Sequence, residues 1–266
     1  MIKKIIPFIL LVSCMDIIID NSTGYKSIHL MGGSWIEIPY EKVSMEGDAE
    51  IDSQFSDYLS VLNNNFTIQI ILSGDSVDTN EQLSILSLVN ADGDILFSIN
   101  REPDKNNSIS IYKDNERVGN YELSSLDWSS CSTFYMLSIV QDTDAGEISV
   151  YINDSKIADN LDLINNSDKC SISIGAISNS EHTVLQNFWC GYIDEFRIWE
   201  TNLSSDEITF HNNNRSKISE SSSSSYISSL YGIWDCNLTG TNFNDGLGTS
   251  IYSIDGNVEL SENGTN

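Results

Sequence analysis

Basic side chains are scarce in this sequence. Its 266 residues include 13 Lys and Arg against 39 Asp and Glu, which gives a formal net charge of −26 at pH 7. Proteins that bind nucleic acids obtain most of their affinity from Lys and Arg that neutralise phosphates, so we expect no nucleic-acid partner. The acidity does not indicate disorder, because 40% of the residues are hydrophobic and 9% are aromatic, as in a packed domain.

The sequence also lacks an N-terminal apolar run long enough to cross a membrane, which takes about 20 residues in a helix. The run from Ile5 to Val12 is shorter, and Asp16 and Asp20 interrupt the apolar residues after it. Two lysines precede this run and Ser13 comes after it, a pattern typical of an export signal over residues 1–13. Its removal leaves 11 basic and 39 acidic residues, a net charge of −28.

The end of the signal, Leu11-Val-Ser-Cys14, resembles the lipobox of bacterial lipoproteins. The resemblance implies cleavage before Cys14, acylation of its thiol, and a tether over residues 14–24. The alternatives are an ordinary secretory signal with a chance cysteine, and a membrane-spanning anchor, which the two aspartates disfavour. We therefore expect an exported protein of the bacterial cell envelope that is held at the membrane by its lipid alone.

Four cysteines remain once Cys14 is assigned to the lipid, an even number in a compartment where disulfides persist. Cys170 and Cys190 fall on consecutive predicted strands, and as neighbours in a hairpin they could bridge, which would leave Cys131 with Cys236. Four unbridged buried thiols are the alternative. Metal binding by these thiols is disfavoured, because the sequence has no Cys-x-x-Cys and no nearby histidine cluster.

Catalytic motifs are missing as well. His29, His182 and His211 are far apart in the sequence, and no Gly-x-Ser-x-Gly motif accompanies them, so a hydrolase triad has no support. We expect each to be a surface or strand histidine.

The sequence does contain many short alternating stretches, and the longest runs from Phe188 to Trp199. A period of two places apolar side chains on both of its faces, which predicts a central strand covered on both sides. Ser204 and Glu207 then form a capping box, which predicts one short helix. Gly32-Gly33 predicts a hairpin turn between strands 27–31 and 34–38. Further strands are predicted at 66–72, 83–89, 95–99, 108–112, 118–123, 134–140, 148–152 and 170–174.

The run Gly191-Tyr-Ile-Asp-Glu-Phe-Arg-Ile-Trp199, continued by Leu203-Ser-Ser-Asp-Glu-Ile208, resembles the signature of laminin-G-like domains of the concanavalin A-like lectin/glucanase superfamily. The resemblance spans roughly residues 25–260 and implies an all-β, two-sheet antiparallel jelly-roll sandwich with one short helix near the C-terminus. Other stretches resemble the family in the expected order: Gly33-Ser-Trp-Ile-Glu-Ile-Pro39, Asn65-Phe-Thr-Ile-Gln-Ile70 and Glu147-Ile-Ser-Val-Tyr-Ile-Asn153.

We assign residues 25–266 to one such domain, with a flexible Ser- and Asn-rich insertion at 212–229. The stretch Leu230 to Asn237 regains strand character. It either adds edge strands to the same sandwich or opens a second module, and fewer than forty residues are too few for a second sandwich.

Glucanases of this superfamily use a Glu-x-Asp-x-x-Glu strand, because retaining hydrolysis needs two carboxyl groups about 5 Å apart. The nearest match begins at Glu50 and Asp52 and has Phe55 where the second glutamate belongs. We therefore expect no catalytic residues and no enzyme, and a glycoside hydrolase is the disfavoured alternative.

Binding is then the expected activity, and a glycan is the expected ligand. Sandwich lectins present aromatic faces and Asn or Asp side chains to sugars, and this chain has eleven tyrosines and five tryptophans. The alternative for the tryptophans is that they are core residues: Trp35, Trp128, Trp189, Trp199 and Trp234. The rival function is a structural or adhesion protein that binds protein partners of the envelope.

The resemblance also implies a structural calcium ion. Asp194 is a carboxylate in an otherwise apolar strand, and Asp245 matches the aspartate before a family turn, although Gly246-Leu-Gly-Thr departs from that turn. The alternative is that Asp194 pairs with Arg197 or caps backbone amides.

The lipid anchor can be tested by detergent partitioning. The mature protein should enter the detergent phase, because lipobox modification adds several acyl chains and stable anchoring needs more than one. Cys14→Ser should leave it soluble or unprocessed. A wild-type protein that stays aqueous and carries no lipid mass would contradict the assignment.

Calcium can be tested by thermal melting in excess calcium and then in a chelator. An ion that binds only the folded state raises the melting temperature by mass action. Asp194→Ala should abolish this rise. A midpoint that calcium does not change would remove the site.

Overall fold

The computed structural model describes residues 27–31, 35–38, 62–77, 80–90, 92–164, 170–178, 185–215, 229–235, 253–255 and 258–261. Within these ranges no helix is long and apolar enough to span a bilayer. Several residues that the sequence analysis singles out lie outside them: Cys14, Glu50, Asp52, Phe55, His182, Cys236 and Asp245.

The described residues form short strands and one helix. The strands, in chain order, are β1 (Ser27–Met31), β2 (Trp35–Ile38), β3 (Phe66–Gly74), β4 (Leu83–Asn90), β5 (Ile95–Arg101), β6 (Ser108–Lys113), β7 (Glu116–Glu122), β8 (Tyr135–Asp142), β9 (Glu147–Ile152), β10 (Ser155–Asp162), β11 (Cys170–Ile174), β12 (Ile177–Ser178), β13 (Leu185–Gln186), β14 (Cys190–Trp199), β15 (Leu230–Asp235), β16 (Ser253–Asp255) and β17 (Val258–Ser261). The helix, α1, is Ser205–Asn213.

Two large antiparallel sheets contain nearly all of these strands. Sheet A has the order β10-β9-β8-β3-β14-β1-β17, and β15 pairs with the second half of β14. Sheet B has the order β16-β2-β11-β4-β5-β6-β7, while β12 and β13 form a small ribbon. Apolar side chains from both sheets meet in one core, including Ile70, Phe97, Ile111 and Phe196. The predicted two-sheet sandwich with one short helix is confirmed.

The predicted hairpin of β1 and β2 is wrong. Strand β1 pairs with β14 and β17 in sheet A, whereas β2 pairs with β11 and β16 in sheet B. Leu30 on β1 and Ile36 on β2 both belong to the core, so the two strands cover it from opposite sides. A turn signal shows where the chain bends but not whether the next strand stays in the same sheet.

Strand β14 is central, as predicted, but its faces do not alternate along its whole length. A register shift lies between Ile193 and Glu195, so that Asp194 is the extra residue of a β-bulge. Ile193 packs in the core before the bulge, and Phe196 and Ile198 pack in the core after it. The bulge therefore moves the core-facing residues from odd to even numbers, which strict alternation could not predict.

Helix α1 covers the outer face of sheet A. The predicted capping box is confirmed, because the Ser204 hydroxyl accepts from the Glu207 amide and the Glu207 carboxylate accepts from the Ser204 amide. A second apolar cluster lies beneath the helix: Ile71, Met136, Val140, Tyr151, Trp199, Leu203, Ile208, Leu230 and Ile233.

The predicted flexible insertion at 212–229 begins too early. Helix α1 continues to Asn213, and the Arg215 guanidinium donates to the Phe134 carbonyl and to the Asn153 side chain. These hydrogen bonds fix the chain after the helix against sheet A.

A buried polar network fastens the helix to β3. The Gln69 amide oxygen accepts from Trp199 Nε1 at 3.0 Å and lies 3.1 Å from His211 Nδ1. Since this oxygen can only accept, Nδ1 carries a proton. His211 is fully buried on the helix, so its predicted surface or strand position is wrong. Burial, and then the charge of Arg197, lower its pKa from 6.5 to about 3.

This pKa predicts a pH dependence of stability. From about 6.5 down to about 3 the unfolded chain binds a proton at His211 that the folded chain does not, so the free energy of unfolding should decrease as the pH falls. His211→Gln cannot titrate and should flatten this part of the profile. Chemical denaturation at a series of pH values measures it, and carboxylate titrations common to both proteins cancel in the difference. Parallel profiles would contradict the assignment.

Candidate functional site

The outer face of sheet B is polar. Two rows of side chains cross its strands, Ser173-Ser87-Ser98-Tyr112 and Ser84-Asn100-Ser110-Asn120. Their neighbours along each strand, such as Ile99 and Ile111, pack in the core, so these rows point outward. We call this surface the polar face.

Part of the polar face is closed. The Ser87 hydroxyl donates to the Ala176 carbonyl at 2.8 Å, and the Ser173 hydroxyl donates to the Ser178 carbonyl at 3.2 Å, so the segment around β12 lies over β4 and β11. Ser98 and Ser110 are also fully buried. The centre of the polar face is therefore not accessible to a ligand.

The accessible part lies towards β7, and we call it the polar rim: Gln82, Glu102, Tyr112, Arg117 and Asn120. Gln82 Nε2 donates to the Tyr112 hydroxyl at 2.8 Å and to Glu102 Oε1 at 3.0 Å. Arg117 Nη1 lies 3.5 Å from the Glu102 carboxylate, and 45% of the Arg117 side chain is exposed. Tyr112 is half-buried and Asn120 is exposed. The polar rim thus combines the aromatic ring of Tyr112, which a hydrogen bond from Gln82 holds in place, with amide, carboxylate and guanidinium groups.

The four tryptophans whose side chains the structure describes do not contribute a binding platform. Trp128, Trp189 and Trp199 are fully buried, and Trp35 is 6% exposed. Trp128 meets Trp189 edge to face at 5.3 Å. The alternative that treats these four as core residues is therefore correct, and the side chain of Trp234 lies outside the described part of the structure.

A second group of reactive side chains lies at one end of sheet A. His29 on β1, Asp75 after β3 and Cys190 on β14 place one ligand atom each within 4.8 Å of the others. We call this group the His-Asp-Cys cluster. All three residues are half-buried, and the His29 ring stacks on Tyr192 at 4.2 Å. Among the described residues it is the one group of three or more such side chains that could hold a metal ion.

Two glycines bring this cluster together. Gly74 and Gly191 are opposite each other in β3 and β14. A Cβ at Gly74 would lie 2.1 Å from the Trp128 carbonyl oxygen, and one at Gly191 would lie 2.2 Å from the Ser73 carbonyl oxygen. Only glycine fits at either position, and at Gly191 it allows β14 to lie close to β3, so that Asp75 and Cys190 lie side by side.

The Cys190 thiol is not an activated nucleophile. Burial and the charge of Asp75 raise its pKa, and the nearby Arg101 guanidinium opposes this shift only in part. A raised pKa keeps the group as a thiol near neutral pH. The cluster therefore does not support the nucleophilic chemistry of a Cys-His enzyme.

The predicted hairpin disulfide is wrong. Cys170 lies on β11 in sheet B opposite Asn90, whereas Cys190 lies on β14 in sheet A opposite Met31. Cys131 and Cys190 are both free thiols. The prediction required the strands of Cys170 and Cys190 to pair with each other, but β11 and β14 belong to different sheets. For Cys131 and Cys236, the second residue lies outside the described ranges.

The alternative that Asp194 pairs with Arg197 or caps backbone amides stays a prediction. Arg197 forms an ion pair with Glu195, two residues before it. Burial and the Arg197 charge lower the pKa of Arg215, and the Asp194 carboxylate opposes that shift, so Asp194 lies near a second guanidinium. The joint calcium site with Asp245 stays a prediction, since Asp245 is not among the described residues.

A two-sheet antiparallel sandwich with one polar outer face defines a jelly-roll domain of the lectin type. The laminin-G-type sequence model of the concanavalin A-like lectin/glucanases superfamily matches residues 47–209. The chain belongs to this superfamily. None of the curated proteins compared with the chain matches it.

Solved structures resemble the fold at low sequence identity. A candidate carbohydrate-binding protein from Bacteroides ovatus has a TM-score of 0.56 and 14% identity over 90% of this chain and 60% of its own. The sialidase CBM40 of Ruminococcus gnavus, bound to α2,3-sialyllactose, has a TM-score of 0.51 and 14% identity over 70% and 96%. A heptameric pentraxin from Limulus polyphemus has a TM-score of 0.50 and 9% identity over 91% of both chains. The chain thus spans 60% of the Bacteroides protein.

Proposed function

We propose that this protein is a non-catalytic glycan-binding module of the bacterial cell envelope and that the polar rim holds the sugar. The observation that carries the proposal is the fixed position of Tyr112, whose hydroxyl accepts from Gln82 while Gln82 also donates to Glu102. A tyrosine held in this way offers its ring as a platform at little entropic cost on binding.

The chemistry of the rim suits a sugar. The C–H face of a pyranose packs on an aromatic ring, and its hydroxyls need donors and acceptors that stand close together. Gln82, Glu102 and Asn120 supply both kinds of group, and the exposed Arg117 adds a charged donor. The fold is shared with a Ruminococcus gnavus module whose structure contains a sialylated lactose, which supports a glycan as the ligand class.

Two further parts of the proposal depend on the sequence. The second glutamate of the glucanase motif is replaced by Phe55, which supports binding without hydrolysis. The lipobox at Cys14 supports a membrane-anchored location in the envelope.

A second candidate function, adhesion to an envelope protein, is favoured by β7. This strand is the last in sheet B among the described strands, and Val118 on it is 45% exposed. An edge strand with an exposed apolar residue can accept a strand from a partner.

A glycan array and then calorimetric titration of the best ligand test the proposal. Tyr112→Ala should weaken binding at least tenfold, about 1.4 kcal/mol, because the platform is lost. Arg117→Ala should weaken binding of glycans that carry an acidic group. Phe210→Ala is the matched control, since Phe210 is 39% exposed on α1 over the other sheet and its loss should not change affinity.

Three results would contradict the proposal. Equal affinities of wild type and Tyr112→Ala would remove the polar rim as the site. An array without ligands, together with capture of one envelope protein that charged substitutions on β7 abolish, would favour adhesion. Hydrolysis of a β-glucan that is lost in Glu50→Gln or Asp52→Asn would favour the alternative that the protein is a glycoside hydrolase.

A further inference from the structure

The His-Asp-Cys cluster is built by three neighbouring strands of sheet A. His29 on β1 is opposite Tyr192 on β14, and Gly74 at the end of β3 is opposite Gly191. The backbone N–H of Asp75 donates to the Cys190 carbonyl at 3.2 Å. The positions of the three side chains are therefore set by sheet pairing rather than by a loose loop.

The donor atoms have the spacing of a tetrahedral metal site. His29 Nε2 lies 3.3 Å from Asp75 Oδ2. Zinc bonds of about 2.0–2.1 Å to nitrogen and oxygen at the tetrahedral angle hold those two ligand atoms about 3.3 Å apart. The Cys190 sulfur is within 4.8 Å of both atoms, and we expect a rotation of its side chain to bring it to the same centre.

An unsatisfied buried atom points into this cluster. His29 Nε2 is buried and has no hydrogen-bond partner within the described part of the chain, although the Asp75 carboxylate lies beside it. Buried polar atoms are nearly always partnered. A lone pair on Nε2 directed at a metal ion would satisfy this atom.

The surrounding groups orient the aspartate. Asp75 Oδ1 accepts from the Ser76 amide at 2.7 Å, which leaves Oδ2 for the ion. Hydrogen bonds of this kind hold metal-binding carboxylates in place.

The local charge is also compatible with a divalent cation. A bound cation displaces the proton of the Cys190 thiol, and the resulting thiolate together with the Asp75 carboxylate would neutralise the ion, so the buried Arg101 nearby would face a centre with no net charge. Arg101 itself donates to the Asp75 carbonyl at 3.1 Å and to the Asn106 side chain at 2.6 Å, so neither bond occupies a donor atom of the cluster.

We propose that His29, Asp75 and Cys190 bind a zinc ion that joins the ends of β1, β3 and β14. The nitrogen, oxygen and sulfur ligands suit zinc, whereas calcium and magnesium require oxygen alone. Three protein ligands leave the fourth position of the ion for water or another small ligand. The site shares no residue with the polar rim, and it differs from the calcium site predicted at Asp194.

Cobalt substitution of the purified, reduced full chain tests the site. One equivalent of Co²⁺ should give a thiolate-to-cobalt charge-transfer band, and Zn²⁺ should displace the cobalt and remove the band. Cys190→Ser should abolish the band, while Asp75→Asn and His29→Gln should weaken cobalt affinity at least tenfold. At a zinc concentration 100 times Kd, the folding equilibrium constant of the wild type should rise about 100-fold.

Cys131→Ser is the matched control, because Cys131 is the other free thiol among the described side chains and is half-buried like Cys190. It should keep the band and the affinity unchanged. A band that survives in Cys190→Ser, a band lost in Cys131→Ser, or no stoichiometric cobalt binding would overturn the proposal. Circular dichroism checks the fold of each variant, and if Cys190→Ser does not fold, unchanged cobalt affinity in Asp75→Asn and His29→Gln overturns it equally.

Discussion

Burial of both faces of β14 is the constraint on which the rest of the structure depends. Such a strand must find hydrogen-bond partners on both edges, because eight of its ten residues are buried and a buried backbone group without a partner costs free energy. Strand β3 occupies one edge, while β1 and β15 divide the other between the two halves of the strand. Trp199 on the outer side requires a cover, and α1 supplies it. The helix and its capping box are thus consequences of one apolar strand.

Buried polar groups on the outer faces of sheet A and sheet B find their hydrogen-bond partners in different ways. Beneath α1, the long side chains Gln69, Trp199 and His211 satisfy one another across elements. On sheet B, short serine side chains donate to nearby carbonyls, as Ser87 and Ser173 do. Short side chains protrude little, so in the described part of the polar face the accessible hydrogen-bonding groups lie in the polar rim near β7.

Local signals predicted much of the fold. The strand at 170–174 and the capping box of Ser204 and Glu207 are encoded within a few residues, and both occur in the structure. Strand β10 was missed because its sequence is polar, with only Ala158 buried on an edge strand. The bulge at Asp194 could not be predicted because both faces of β14 are apolar, so that the shift from odd to even core positions does not show in the sequence pattern. Strand order could not be predicted either, which is why Cys170 was paired with a residue of the other sheet.

The candidate sites were the least predictable part. The polar rim combines Gln82, Glu102, Tyr112 and Arg117 from four consecutive stretches, and no motif joins them. Metal binding by cysteine was disfavoured because the sequence has no local cysteine or histidine pair. The His-Asp-Cys cluster could not be predicted from sequence spacing, because its members are distant along the chain. Pairing of the strands in sheet A brings them together.

Gly74 and Gly191, which lie opposite each other, distinguish two features that can change independently in evolution: the backbone framework and the metal-binding side chains beside it. A side chain at Gly191 would clash with the Ser73 carbonyl of β3, and one at Gly74 would clash with the Trp128 backbone, so both glycines belong to the framework of the sandwich. His29, Asp75 and Cys190 stand beside that framework without forming it. Related sandwiches could therefore gain or lose the three ligands one at a time while the backbone beneath them stays the same.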